Sequence, residues 1–200
     1  MLVDFTVKNF RSLRDEQTLS FYAENRGTHL PENIRFPVKD VAVLSSAGIY
    51  GPNASGKSNV LLALKALYWL IDNSHLLKEN SVIPVYEPYK LSAESIAAPV
   101  LFELEFVVEE TRYLYTVHFT RREVIYEQLR YYSVGEKRTT LALLFERNKD
   151  DDWDSMSFGG HFKGGARKIP FFKNQAYLSK AGNTPDAPEF IRKIYQFFSK

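Results

Sequence analysis

Eight consecutive residues constrain this chain more than any other part of its sequence: Gly51, Pro52, Asn53, Ala54, Ser55, Gly56, Lys57 and Ser58. Their spacing is G-x-x-x-x-G-K-[ST], in which the two glycines let the backbone curl until successive N–H groups point inward at a phosphate. Residues 41–44, followed by 48–50, predict a buried strand that leads into this loop, and residues 58–71 repeat apolar side chains at helical spacing. The order of strand, glycine loop and helix predicts a P-loop at the positive end of a helix.

The last two residues of this motif predict what the loop binds. Lys57 is expected to reach the β and γ phosphates of a nucleoside triphosphate as a point charge. The Ser58 hydroxyl is expected to coordinate the Mg²⁺ ion that bridges those phosphates. The sequence therefore predicts ATP and Mg²⁺ as ligands, with Asn59 next to them at the start of the helix.

Composition excludes several other classes of protein. The 200 residues are 44% hydrophobic and 25% charged, as in packed globular domains, so the chain forms one domain or one large lobe. The absence of cysteine excludes disulfides and thiolate metal sites, and the default expectation is a cytoplasmic protein. The formal charge of +2 does not by itself predict nucleic-acid binding. The longest apolar stretch, 60–71, contains Lys65 and is too short to span a membrane.

Hydrophobic periodicity divides the chain into a sheet-forming part and a helical end. Period-two alternation predicts a hairpin from residues 3–7 and 18–22, and a β-meander whose strands are 100–108, 113–119, 124–132, 139–145 and 153–158. Residues 25–40 are predicted to form a loop, and 134–137 a turn. Residues 189–198 carry one apolar helical stripe. That stripe either packs on the meander or indicates that the parent domain continues beyond Lys200.

Two short segments imitate other nucleotide-site motifs. Residues 148–151 match the guanine-reading N-K-x-D of GTPases, but no aspartate has a glycine three residues later, so the GTPase hypothesis is the weaker one. The apolar run 141–145 resembles the strand that presents an aspartate to magnesium, yet Phe145 takes the aspartate position and Arg147 follows Glu146. We expect a solvated turn at the first segment and a surface role for Glu146 at the second.

A short basic cluster raises a possible nucleic-acid contact. Lys163, Arg167 and Lys168 surround the glycine pair at 164–165. A solvated loop accounts for so short a cluster more simply than a nucleic-acid site does. The sequence leaves both alternatives open.

A family resemblance rests on two N-terminal motifs. The sequence N-F-R-S at residues 9–12 and the N-x-S variant of the P-loop at 53–55 resemble the ABC-type ATPase heads of the SMC and RecF class. More narrowly, Ile49-Tyr50, Asn25 and the segment 174–179 resemble the AAA-type ATPases of bacterial abortive-infection and other phage-defence systems. The resemblance covers most of the chain.

The resemblance implies an α/β P-loop NTPase head with a large antiparallel β-meander lobe, of which this chain is the N-terminal half. It implies three sections: the first strands and P-loop at 1–75, the β lobe at 76–170 and a Q-loop-like segment at 171–200. Asn9 and Arg11 are expected to lie near the nucleotide, and Gln175 to sense magnesium and the γ-phosphate. The implied partners are ATP, a second head supplied by a homodimer or by the missing half, and an effector protein.

The chain departs from this family pattern where hydrolysis is concerned. It lacks a strand that ends in paired carboxylates and a signature segment, so the general base is not predicted in this chain. We therefore expect ATP binding with weak turnover. The alternative is an interaction module without catalysis, in which strand tyrosines bind a protein or nucleic acid: Tyr113, Tyr115, Tyr126, Tyr131 and Tyr132. Core packing is the simpler explanation of those tyrosines.

Overall fold

The computed structural model describes residues 1–23, 31–39, 41–134 and 139–199. Asn25, the predicted turn beyond residue 134, and Lys200 lie outside them. The strands are β1 (Leu2–Lys8), β2 (Gln17–Ser20), β3 (Ile34–Val38), β4 (Val41–Leu44), β5 (Val100–Val108), β6 (Thr111–Phe119), β7 (Val124–Val134), β8 (Thr139–Asn148) and β9 (Ser157–Phe158). The α-helices are α1 (Lys57–Asn73), α2 (Ala93–Ala97), α3 (Tyr177–Gly182) and α4 (Glu189–Phe198).

One seven-stranded sheet dominates the fold, with the strand order β2-β1-β5-β6-β7-β8-β9. Each of its strand pairs is antiparallel. The predicted hairpin and the predicted meander are both confirmed, because alternate side chains on these strands are buried against the helices. The predicted strand 153–158 is shorter than expected and includes only Ser157–Phe158.

Helices α1, α3 and α4 cover one face of this sheet and enclose the core. Phe198 of α4 packs edge-on against Tyr68 of α1 and Phe106 of β5, with ring centroids 5.0 and 5.1 Å apart. Phe145 of β8 packs against Tyr177 of α3 at 4.8 Å. The apolar stripe of α4 is therefore covered within the chain, which removes it as a sign of a missing domain. Among the described residues, buried apolar side chains form two clusters: the larger includes residues of all three predicted sections, and the smaller comprises Val3, Val41, Val43 and Val107.

The region before the P-loop differs from the prediction. Part of the expected loop 25–40 is the strand β3, which pairs with β4 in a separate two-stranded sheet. Pro37 lies at the register shift of that pair, a position where the missing N–H costs no ladder bond. The strand expected to continue through 48–50 is wrong, because β4 ends at Leu44 and Tyr50 is 94% exposed. The P-loop thus follows an exposed connection instead of a sheet strand.

Among the described residues, none of the helices combines the length and the apolar character needed to cross a bilayer.

Candidate nucleotide-binding site

The predicted P-loop forms an exposed bend that ends where α1 begins. Ala54 and Gly56 adopt left-handed backbone angles, with φ of 62° and 92°. Lys57 Nζ donates hydrogen bonds to the carbonyl oxygens of Gly51 at 2.7 Å and Pro52 at 2.6 Å. The lysine side chain therefore folds back across the loop, and its positive charge lies against the loop's own backbone.

The start of α1 leaves the backbone N–H groups of Lys57 and Ser58 available to an anion, while those of Asn59 and Val60 donate to the Gly56 carbonyl at 2.9 and 3.3 Å. Gly56 precedes the helix without a side-chain hydrogen bond to its first turn, and that turn contains no acidic residue. The first N–H groups of any α-helix lack partners within the helix and carry a partial positive charge. Ser58 is exposed at this position. The arrangement can bind phosphate oxygens, while the Ser58 hydroxyl is suited to a hard cation such as Mg²⁺.

The turn that follows β1 packs directly beside the P-loop. Asn59 Nδ2 donates to Ser12 Oγ at 2.6 Å, and Arg11 Nη1 donates to Asn59 Oδ1 at 3.5 Å. A Cβ atom on Gly56 would lie 3.3 Å from Ser12 Oγ, and the positive φ of this residue already favours glycine. The structure thus brings Arg11 and Asn59 to the P-loop. Their contact with nucleotide stays a prediction.

Asn9 has a structural role that the sequence did not predict. Its side chain is buried, and Nδ2 donates to the carbonyl oxygens of Ser95 at 2.8 Å, Ala98 at 3.1 Å and Pro99 at 3.1 Å. Its Oδ1 accepts a hydrogen bond from the backbone N–H of Tyr89 at 3.1 Å. These bonds use both amide hydrogens, so the side chain has no donor left for a phosphate. The predicted nucleotide contact of the Asn9 side chain is corrected accordingly.

Gln175 lies at the wrong end of α1 for the predicted magnesium role. Its Nε2 donates to the carbonyl oxygens of His75 at 3.0 Å and Leu77 at 2.9 Å, both just beyond the C-terminus of α1. Ser58 is in the first turn of that 17-residue helix. At about 1.5 Å per residue, the two ends are about 25 Å apart. One ion cannot contact both residues, so we leave Gln175 out of the proposed site.

The segments 148–151 and 141–146, which resemble other nucleotide-site motifs, have structural explanations. Asp151 Oδ2 accepts hydrogen bonds from the backbone N–H and the side-chain amide of Asn148, at 2.7 and 3.2 Å, which closes an exposed turn. Glu146 accepts from the hydroxyl of Tyr126 at 3.1 Å and from Gln128, on the sheet face opposite the helices. Among the described residues, no hydrogen bond or ion pair joins either segment to the P-loop, and Glu146 is half-buried where a surface position was expected.

The strand tyrosines divide between the two faces of the sheet. Tyr115 is fully buried and Tyr113 nearly so, both in the core. On the other face, the Tyr126 and Tyr132 hydroxyls donate to carboxylates, and burial together with those carboxylates raises the pKa of each to about 12. Packing and local hydrogen bonds account for these four side chains.

A buried ion pair was missed from the sequence. Glu127 and Arg147 are directly opposite each other on β7 and β8, and both side chains are buried. Desolvation raises the pKa of Glu127, and the nearby Arg147 charge opposes that effect. The sequence contains a signal for this pair. Glu127 is two residues from the apolar Leu129, and Arg147 is two residues from the apolar Phe145, so each charged residue lies on the same sheet face as an apolar one. The two charges have opposite sign.

Glu87 brings a carboxylate beside the P-loop, where its Oε2 lies 2.7 Å from Arg11 Nε. Among the described residues, no acidic side chain forms a hydrogen bond or ion pair with Lys57 or Ser58. The same residues contain no group of three or more His, Cys, Asp or Glu side chains placed to hold a metal ion. The described residues thus offer groups suited to binding phosphate and no carboxylate in contact with Lys57 or Ser58.

Comparison with known proteins identifies the family. Residues 46–182, more than half of the chain, match the model of the family described as "AAA domain, putative AbiEii toxin, Type IV TA system". The matched region begins just before the P-loop and ends with α3. A comparison with curated proteins finds no match. The chain therefore belongs to this family of AAA-type P-loop domains, which is the abortive-infection type that its sequence motifs resemble.

Proposed function

We propose that this chain is the ATP-binding part of a P-loop ATPase, and that Mg²⁺-ATP binds at residues 51–58. The observation that carries this proposal is the Lys57 side chain, which spans the exposed loop and bonds the carbonyls of Gly51 and Pro52. The carbonyl oxygens are neutral acceptors for the positively charged ammonium group of Lys57. A bound triphosphate offers the ammonium group anionic oxygens, which form stronger charge-assisted hydrogen bonds.

Each neighbouring residue then has a defined task. The N–H groups at the start of α1 bind phosphate oxygens, and Ser58 holds the Mg²⁺ ion. The ion neutralises charge on the β and γ phosphates when it is bound. Arg11 and Asn59 border the phosphates from the turn after β1.

Hydrolysis requires residues that the described part of this site lacks. We propose that the chain is the N-terminal half of an ABC-type head, and that the carboxylates come from the rest of that head or from a second one. The exposed apolar side chains around the P-loop support this: Tyr50 is 94% exposed, Leu61 57% and Ile49 39%. Ile49 and Tyr50 are adjacent in the sequence, and contiguous exposed apolar side chains on a folded domain are typical of surfaces that another segment covers.

The biological role follows by analogy with the family. We propose that ATP binding brings two heads together and that this change of state activates an effector in phage defence or DNA maintenance. This step rests on fold-level analogy.

The alternative is a nucleotide-binding interaction module without catalysis. Among the described residues, no carboxylate contacts Lys57 or Ser58, and this observation favours the alternative.

Nucleotide-dependent dimerisation separates these two functions. Sedimentation velocity of the purified chain, with and without Mg²⁺-ATP, measures it directly. The head hypothesis expects a dimer that forms with Mg²⁺-ATP and is lost in the Ser58→Ala variant. A chain that binds Mg²⁺-ATP and sediments as the same species in both conditions would support the interaction module.

A further inference from the structure

An open groove of about 720 Å³ lies between the β6–β7 turn and the segment 82–97. Most of its lining is apolar and is formed by Val82, Ile83, Pro84, Tyr86, Ile96 and Ala97. Val82 is 39% exposed and Ile96 is 50% exposed, so this apolar surface is uncovered. We call it the apolar groove. Its lining contains none of the residues proposed to bind ATP, and uncovered apolar surface of this kind is typical of protein–protein contact sites.

Two arginines border the apolar groove. Arg121 and Arg122 occupy the β6–β7 turn, and both are exposed. Among the described residues, neither side chain forms an ion pair, and no carboxylate lines the groove. Glu123 follows the arginines but is half-buried and is not part of the lining. The groove therefore suits an occupant that combines negative charge with a large apolar side chain.

The chain itself contains a segment with this chemistry at residues 150–154. Four of these five residues are aspartates, and the fifth is Trp153, which is 38% exposed. We call this segment the acidic turn. Asp152 Oδ1 accepts hydrogen bonds from the backbone N–H groups of Asp154 at 2.9 Å and Ser155 at 3.0 Å, which fixes the shape of the turn. Asp150 is exposed and forms no ion pair among the described residues.

The acidic turn and the arginines lie at the same end of the large sheet. β7 begins just after the arginines, and β8 ends just before the acidic turn. The two strands are antiparallel neighbours, with Tyr126 opposite Asn148, and paired strands are about 5 Å apart. Among the described residues, no ion pair joins the acidic turn to the arginines within one chain. Two copies related by a two-fold axis can therefore each offer an acidic turn to the other's groove.

We infer that the apolar groove binds the acidic turn of a second copy of this chain. Trp153 packs on the apolar lining, and the aspartates lie beside Arg121 and Arg122. The contact is weak and is detected at high protein concentration, because it is small and its charges are exposed to solvent. It goes beyond the proposed function: it uses no P-loop residue, needs no nucleotide and is separate from the dimer that Mg²⁺-ATP is proposed to form.

Charge inversion on each side of the contact, and then on both sides, tests this inference. Sedimentation velocity over a concentration series, without nucleotide, measures self-association of the chain. Arg121→Glu with Arg122→Glu, and separately Asp150→Lys with Asp154→Lys, places like charges opposite each other, and each variant should self-associate at least about tenfold more weakly. The other two aspartates are kept because their hydrogen bonds shape the turn. An equimolar mixture of the two variants restores opposite charges in both halves of the contact and should associate within about threefold of the wild-type affinity.

Two control proteins should self-associate like the wild type. Arg35→Glu with Lys39→Glu changes the net charge by the same amount as the arginine variant, at exposed positions in and beside β3. Lys57→Ala changes the P-loop, which the contact does not use. A wild-type chain that stays monomeric over the whole series would overturn the inference and leave the groove to a different partner. Wild-type self-association in either charge-inverted variant, or a mixture that fails to associate, would also overturn it.

Discussion

Glu127 and Arg147 are cross-strand partners in the interior of the protein, with Nη1 of the arginine 3.6 Å from Oε2 of the glutamate. The carboxylate also accepts hydrogen bonds from the Tyr115 hydroxyl at 2.9 Å and from the backbone N–H groups of Tyr177 at 2.6 Å and Leu178 at 2.9 Å. It therefore binds the start of α3 to the middle of the sheet.

The arginine completes this attachment from the other side. It donates to the carbonyl oxygens of Gln175 at 2.7 Å, Lys173 at 2.9 Å and Val124 at 3.2 Å. The segment 173–178 is thus held by both members of one buried pair. This includes Gln175, whose position at the far end of α1 is fixed by these bonds.

Removing one charge of this pair should be costly. Arg147→Met leaves the Glu127 carboxylate buried without its counter-ion, and we expect a loss of about 3–5 kcal/mol in the free energy of unfolding. Urea denaturation measures it. Lys168→Met is the control, because it breaks an exposed ion pair with Asp154 and should cost less than about 1 kcal/mol. Equal losses in the two variants would contradict a special role for the buried pair.

Asn9 should stabilise the attachment of the segment 89–99 to the turn after β1. Asn9→Ala removes the amide that bonds three carbonyls and the Tyr89 N–H, so we expect a loss of about 1–3 kcal/mol. Hydrogen exchange at the Tyr89 amide should become faster. Asn148→Ala, in an exposed turn, is the matched control and should leave that amide unchanged. Unchanged exchange at Tyr89 in Asn9→Ala would rule out this role.

The stability of the fold should fall on mild acidification because of His118. Burial lowers the pKa of His118 below its ordinary value. Such an imidazole takes up a proton more readily in the unfolded chain, so its contribution is present above about pH 6.5 and is lost as the pH falls. Denaturation at pH 7.5 and 5.5 should show a smaller decrease for His118→Gln than for the wild type. An identical decrease in both proteins would show that this histidine is not responsible.

The isolated chain should turn over ATP weakly or undetectably. No acidic side chain among the described residues contacts Lys57 or Ser58, and the general base is therefore expected to come from elsewhere. A steady-state phosphate-release assay on the 200-residue chain checks this. Robust turnover that disappears in Lys57→Ala would show that the chain contains its own catalytic base.

The hydrophobic periodicity of single segments predicted most of the strands and helices of the fold. The alternation in β5 and β6, and the stripe of α4, identified strands and a helix because one face of each element must be buried. The strand β3 was missed because Pro37 within it indicated a loop. Its pairing with β4 overrides that local signal, and pairing partners are not readable from one segment.

The residues of the candidate site also divide into those that the sequence predicted correctly and those that it did not. The P-loop was predictable because its glycines, lysine and serine are adjacent in the sequence and have one shared task. Gln175 was misassigned because its role depends on residues about 100 positions away, at His75 and Leu77. Asn9 was assigned by resemblance, whereas its hydrogen-bond partners lie in the segment 89–99, which includes α2. Single polar residues acquire their roles only when the tertiary fold brings their partners together.

The central claim is that Lys57 in its exposed loop binds the phosphates of ATP. Calorimetric titration of Mg²⁺-ATP into the wild type, Lys57→Ala and Lys65→Ala tests it most directly, since Lys65 is an exposed lysine two turns further along the same helix. The account predicts that Lys57→Ala weakens binding by about 100-fold, equivalent to about 3 kcal/mol, while Lys65→Ala changes it by less than about twofold. Equal affinities for the wild type and Lys57→Ala would contradict the account.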